Sequence, residues 1–149
     1  MTLPPDRATS GATFAIIASQ TAKAEPIKNA IAEHLRQMGL KEVESRAGSI
    51  KNSVEREWAR LKTADVVIAD LSDFHPNVLF EIGLAAGLQK EILLIKEISE
   101  KRSLPDELSQ YMVLTYVKDH IDDFIANIGL GVAIILLGNS LRDLKGGKT

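Results

Sequence analysis

ADVVIADLSDFHPNVLFEIGLAAGLQKEILLIK, residues 64–96, contains the reading that decides the fold. Its opening, DVVIAD (65–70), sets three adjacent β-branched residues between two aspartates and predicts a strand buried on both faces. Pro76 suits the first turn of a helix, where its missing N–H costs nothing, and predicts a helix over 76–88. EILLIK (91–96) predicts a second strand that is again apolar on both sides. Strand, helix and strand in that order, with no polar strand face, imply a parallel sheet covered on both sides.

The alternation extends outward in both directions. TFAIIA (13–18) predicts strand one. Ile27, Ile31, Leu35 and Met38 then recur at helical spacing behind Pro26, and Gly39 supplies the stop. Residues 41–46 predict a weak second strand, and Ser49 can cap the next helix, whose apolar stripe is Ile50, Val54, Trp58 and Leu61. Residues 98–110 predict a polar loop with room for one helical turn, and YMVLTYV (111–117) predicts strand five. A last helix starts at about Asp119 and contains the strongly apolar IGLGVAIILL (128–137). The expectation is therefore an α/β fold: one flavodoxin-like, Rossmann-like three-layer sandwich with a five-stranded parallel sheet in order 2-1-3-4-5 and an extra apolar C-terminal helix. The domain spans 12–144, between a flexible arm (1–11) and a frayed tail (145–149). Ligands of such sheets sit beyond the carboxyl ends of the strands, beside strands one and three. That points to the loops 19–23, 46–49 and 71–77.

Composition removes several classes of function. The 149 residues suit one domain, and 45% hydrophobic content supports a packed core. Eighteen Lys and Arg against 20 Asp and Glu leave no footprint for a nucleic-acid polymer and no polybasic membrane patch. The absence of cysteine excludes disulfides, thiolate metal sites and cysteine nucleophiles. The N-terminus MTLPPDR lacks the apolar segment of a signal peptide, so a cytoplasmic location is expected. The apolar stretch 128–138 is shorter than the roughly 20 residues that span a bilayer. Left bare it would be too large a patch for a monomer, so it is expected to dock on the sheet or across a homo-oligomer interface. Gly129-Leu130-Gly131 follows no first strand and is not a dinucleotide fingerprint. No phosphate-binding GxxxxGK[ST], no GxSxG turn and no histidine pair at i, i+4 occurs.

Glu81 is the only charged side chain of VLFEIGLAAGL (78–88). A helix apolar all round is buried on most faces, and an ionised carboxylate there is costly unless paired, hydrogen-bonded or protonated. Glu57 lies on the edge of its helix's stripe, at spacings of seven from Ile50 and four to Leu61, flanked by Glu55, Arg56 and Arg60. Asp70 and Asp73 end strand three. Asp73 suits a helix cap, and Asp70 suits either a backbone tie or a contact with a ligand hydroxyl. His75 precedes a proline and is held extended, as a cap-like loop residue or a proton or phosphate contact. Ser19, Gln20, Thr21 and Lys23 follow strand one and could hold a phosphate. His34 and His120 read as surface residues. Gly83 and Gly87 allow close approach of the sheet or of a second subunit. A receiver-type phosphoacceptor reading of Asp70 with Lys118 lacks an acidic pair after strand one.

Residues 64–96 resemble the nucleoside 2-deoxyribosyltransferase-like superfamily, which includes deoxyribosyltransferases and nucleoside 5'-monophosphate N-glycosidases and borders on TIR-like nucleotide-processing domains. The shared pattern reads here as Ala69-Asp70-Leu71, His75-Pro76-Asn77-Val78, Glu81-Ile82-Gly83-Leu84-Ala85 and Gln89-Lys90. The resemblance implies cleavage or transfer of an N-glycosidic bond on a small-molecule nucleoside or nucleotide, with Glu81 as nucleophile and Glu57 as second carboxylate. It also implies substrate contacts from the neighbourhood of Ser19, Gln20, Thr21, Asp70, His75 and Asn77, and no metal or cofactor. His75 stands where the family has Asn, Glu57 where it tends to have Asp, Gln89 where it has Gly, and the strand-one loop lacks a Gly-Ser phosphate cradle. Phe80, Trp58 or Phe74 would form an apolar wall around Glu81. The alternatives are a TIR-like NAD-cleaving domain and a non-catalytic nucleotide sensor.

Overall fold

The structure is a computed structural model that describes residues 11–43 and 53–146. Its elements are β1 (Thr13–Ile17), α1 (Glu25–Gln37), β2 (Lys41–Glu42), α2 (Ser53–Thr63), β3 (Val66–Asp70), α3 (Pro76–Gly87), β4 (Ile92–Glu97), a 3-10 turn (Asp106–Leu108), β5 (Met112–Tyr116) and α4 (Asp122–Gly146). The five strands form one all-parallel sheet in the order β2-β1-β3-β4-β5. The expected fold and strand order are both found. The Ser49 cap, Ile50, the loop 46–49 and residues 44–46 of the expected second strand lie outside the described residues, as do residues 1–10 of the arm and 147–149 of the tail.

Strand residues alternate between two core layers because successive side chains point to opposite faces. Phe14, Ile16, Val66, Ile68, Leu93 and Ile95 pack under α1 and α4 against Ile31, Leu35, Ile128 and Val132. Ala15, Ile17, Val67, Ala69, Ile92 and Leu94 pack under α2 and α3 against Leu61, Val78, Ile82 and Ala85. Both faces of the sheet are covered, which is why its central strands carry no polar face.

Two helix ends fix how the chain re-enters the sheet. Behind α1, Gly39 takes φ 96°, its N–H donates to the Arg36 carbonyl (2.9 Å), and the Leu40 N–H donates to the Leu35 carbonyl (3.1 Å). Behind α3 the same closure recurs through Gln89 at φ 58°, with Gln89 N–H to Ala86 (2.9 Å) and Lys90 N–H to Ala85 (3.1 Å). These are the two hydrogen bonds of a Schellman cap, a left-handed position where glycine is the usual occupant. The Lys90 ammonium donates to the carbonyls of Lys62 (2.7 Å) and Ala64 (2.9 Å), satisfying the C-terminal end of α2.

Four expectations are corrected. The α2 stripe does not bury Val54 and Trp58, which stay exposed; Leu61 alone is buried in this helix. The outer face of α3, with Phe80, Gly83 and Gly87, is bare, and a Cβ on either glycine would meet nothing within 4 Å, so neither serves close approach to the sheet. α4 is 25 residues long, enough by length and composition to cross a membrane, yet Phe124, Ile128, Val132 and Leu136 are built into the core. Gly129 and Gly131 let it lie close. A Cβ at Gly129 would stand 2.6 Å from His34 Nε2 and 2.8 Å from Met38 Sδ, and one at Gly131 would touch Leu93. His34 is accordingly half-buried beneath α4.

Candidate active site

Pro76 begins α3 just beyond β3, so Glu81 occupies the second turn near the carboxyl end of the sheet. Glu57 and Arg60 lie one turn apart on α2, the neighbouring helix of the same layer. Arg60 donates to Glu57 Oε1 through Nε (2.8 Å) and through Nη2, and Nη1 donates to the Ile16 carbonyl of β1 (3.2 Å). The same Nη2 lies 4.0 Å from Glu81 Oε2. Two carboxylates on different helices thus converge on one nitrogen of a guanidinium whose other terminal nitrogen is anchored to the first strand. The side chains of Arg60, Glu57 and Glu81 are 13%, 20% and 27% exposed, a partly desolvated group open on one side. Burial, followed by the negative charge of Glu57, pushes Glu81 up to about 7; Arg60 and Lys28 act in the opposite direction.

The fold is shared with an enzyme of known structure. The chain matches the CMP N-glycosidase BcmB of Clostridium botulinum with a TM-score of 0.61, over 79% of this chain and 98% of that one, at 17% sequence identity. No family model matches the chain, and neither does any curated protein. At this identity the likeness is one of fold, and the chemistry has to be read from the side chains.

Around the carboxylates of this BcmB-like fold the other candidates fall into separate groups. Asp70 is buried at the end of β3, where its Oδ1 accepts from the Ser72 N–H (2.9 Å) and the Ser72 hydroxyl (2.5 Å). The Ser72 oxygen accepts in turn from the Glu97 N–H (3.2 Å) and lies 2.6 Å from the Tyr116 hydroxyl. This network ties together the carboxyl ends of β3, β4 and β5. Burial pushes Asp70 upward, and it pushes the Tyr116 hydroxyl up to about 12. Of the two readings left open for Asp70, these contacts are those of a loop tie.

His75 caps α3, its Nδ1 accepting from the Asn77 N–H at 3.2 Å with the backbone extended at φ −60°, ψ 133°. Asn77 is exposed in the first turn. Ser19 is buried with its hydroxyl 3.2 Å from that of Thr21, and the Thr21 carbonyl accepts from the N–H groups of Ala24 and Glu25 to close the turn into α1. Gln20, Thr21 and Lys23 are exposed in that turn.

The aromatic wall expected around Glu81 is not closed. Trp58 and Phe80 remain 41% and 54% exposed, and Lys62 lies over the Trp58 ring. Phe74 is clasped: the Arg102 guanidinium covers its ring at 4.7 Å and donates to the Asp73 carbonyl at 3.1 Å. Phe74 itself sits at φ 49°, a left-handed conformation that an aromatic residue adopts only under constraint. Arg102 thus pins the loop between β3 and α3 from the segment that follows β4.

Nothing in the sequence singles out Arg60, which reads there as a charged flank of Glu57. The available signal was its spacing of three from Glu57, which places the two on one helix face. A cleft of about 410 Å³ lies at the opposite end of the sheet, beside Asp65, Lys90 and Arg142. Its Lys90 already serves the end of α2, and ligands of such sheets bind at the other end. Among the described residues no group of three or more His, Cys, Asp or Glu is placed to hold a metal ion.

Proposed function

We propose that this chain cleaves the N-glycosidic bond of a nucleoside or nucleotide, with Glu81 as nucleophile and Glu57 as acid/base partner. The observation that carries the proposal is the convergence of Glu57 and Glu81 on Arg60 Nη2. In double displacement at an anomeric carbon, two carboxyl groups stand about 5–5.5 Å apart, one below the ring and one beside the leaving group. Two carboxylates that share one guanidinium nitrogen are close enough for that division of labour.

The Glu81 carboxylate attacks C1' as the bond to the base nitrogen breaks. The bonding pair departs with the base, which takes up a proton from solvent, since Glu57 is engaged as a carboxylate by Arg60. Positive charge that builds on the sugar is stabilised by the same carboxylate. Water, or an acceptor base, then attacks C1' and gives its proton to Glu57, and Glu81 leaves as a carboxylate. Two displacements retain the anomeric configuration. Arg60 holds Glu57 in place and favours the ionised form of Glu81. Ser19, Gln20 and Thr21 border the crevice from β1, and His75 and Asn77 from the start of α3. Asp70 acts through the loop it ties. The CMP N-glycosidase that shares the fold supports a nucleotide as substrate class.

The test is incubation with a panel of nucleosides, nucleoside monophosphates and NAD, with free base read by chromatography. Base release from a panel member, lost in Glu81→Gln, is expected. No release from any member, or full turnover in Glu81→Gln, overturns the proposal. Nicotinamide release from NAD alone would favour the TIR-like activity.

A further inference from the structure

α4 carries two apolar faces. One, formed by Phe124, Ile128, Val132 and Leu136, is consumed by the core. The other consists of Leu130, Ile134, Leu137, Leu141 and Leu144, which remain 61%, 53%, 52%, 53% and 70% exposed. Their spacings are four, three, four and three. That 3.5-residue repeat is the signature of a helix that packs against another helix, whereas a flat surface imposes no such alternation. In heptad terms Leu130, Leu137 and Leu144 are d positions and Ile134 and Leu141 are a positions. Ile134 at a with Leu at every d is a combination that favours two strands, and Leu141 fills the second a position.

We propose that a second copy of this chain docks along this seam, pairing α4 with α4. Four observations select that occupant. A two-fold interface sets one patch against its own copy, so an uncharged patch buries no unpaired charge on pairing, and from Phe124 to Leu141 the helix has none. The seam's neighbours Ala133, Gly138 and Ser140 are small, and a Cβ on Gly138 would meet nothing within 4 Å, so a partner helix can come close. The first cation beyond, Arg142, is already engaged by Glu91 and Asn139 of its own chain. The amino-terminal residues 1–10 offer only Met1 and Leu3 as large apolar side chains, too few to cover a seam of roughly 21 Å at 1.5 Å per residue.

A lipid surface fits less well. Insertion across a bilayer would strip Ile128 and Val132 from the sheet they cover. A helix lying in the interface needs a basic rim, whereas α4 has Asp122, Asp123 and Asp143 against Arg142 and Lys145.

The experiment uses the full chain in sedimentation equilibrium. The mass of two chains is expected, falling to one in Leu137→Glu and in Ile134→Lys with far-UV circular dichroism unchanged. Both side chains are exposed, so a monomeric variant that has unfolded would be recognised by its lost spectrum, and the cysteine scan then decides. Because the chain contains no cysteine, Leu130→Cys, Leu137→Cys and Leu144→Cys each introduce a single thiol. A disulfide-linked dimer at all three supports parallel pairing, and one at the centre of the seam alone supports antiparallel pairing. A wild-type monomer at every concentration, a dimer that survives both charge substitutions, or no cross-link at any position overturns the proposal. So does flotation of a monomeric wild-type chain with phosphatidylcholine–phosphatidylserine vesicles that Leu137→Glu abolishes.

Discussion

Arg60 Nη2 stands 4.0 Å from Glu81 Oε2 while the same guanidinium is bonded to Glu57 and to the backbone of β1. One cation therefore governs two acids. It fixes the position of the first and opposes the burial that raises the second. Removing it in Arg60→Gln leaves Glu81 with the desolvation and the repulsion of Glu57 but without the nearer compensating charge. The acid limb of the rate profile, set by ionisation of Glu81 at about 7, should move upward by about half to one pH unit. Base release measured across pH in wild type and Arg60→Gln checks this, and an unmoved limb would show that Arg60 acts only on the fold.

Glu81→Gln should separate stability from activity. The folded pKa of Glu81, about 7, lies above its ordinary value of 4.5, so the folded chain binds this proton more tightly than the unfolded one. Its contribution is favourable below the unfolded pKa and is lost as pH rises through the folded pKa. At about pH 8 the ionised, partly buried carboxylate is a liability that an amide lacks. The variant should then be more stable than wild type by about 1–2 kcal/mol, with the difference gone near pH 5. Urea titrations at the two pH values measure it, and turnover should be absent at both.

The architecture was legible because each buried strand repeats one chemical statement. Val66 to Ala69 and Ile92 to Ile95 have no polar side, which only a doubly covered parallel sheet tolerates. Glu57 and Glu81 were legible for a related reason, as acids placed against apolar faces. What stayed hidden depends on distances between elements. Arg60 is ordinary in sequence, and its importance arises only when α2 and α3 bring it between two acids. The Arg102 clasp on Phe74 joins residues far apart in the chain. Residues 128–137 read as uniformly apolar because two faces, with periods of 4 and 3.5, are superimposed on one helix. Only the exposure of Leu130, Ile134 and Leu137 separates them.

Two glycines of similar appearance should respond oppositely to substitution. Gly83 is interior to α3, and a Cβ there meets open space, so Gly83→Ala should stabilise by about 0.5–1 kcal/mol through reduced backbone entropy in the unfolded chain. At Gly129 the same methyl would meet His34 and Met38 well inside contact distance. Gly129→Ala should forfeit the helix gain, and Gly129→Leu should cost about 1–3 kcal/mol as α4 is forced off α1. Thermal unfolding of the three variants decides the matter. A stabilised Gly129→Leu would mean that α4 does not rest on His34.

Gln89 ends α3 in a left-handed conformation at φ 58°, in the position that Gly39 fills at φ 96° behind α1. A side chain with a Cβ is strained there by about 1–2 kcal/mol, and glycine is not. Glycine also adds freedom to the unfolded chain, which offsets part of the relief. Gln89→Gly should therefore stabilise by about 0.5–1 kcal/mol and raise the melting temperature by a few degrees. Both hydrogen bonds of the cap come from backbone N–H groups, at Gln89 and Lys90, and survive the change. The reverse substitution, Gly39→Gln, should destabilise by a comparable amount, because the same geometry would then acquire the strain. A Gln89→Gly variant less stable than wild type would show that the Gln89 side chain makes a contact worth more than the strain it bears.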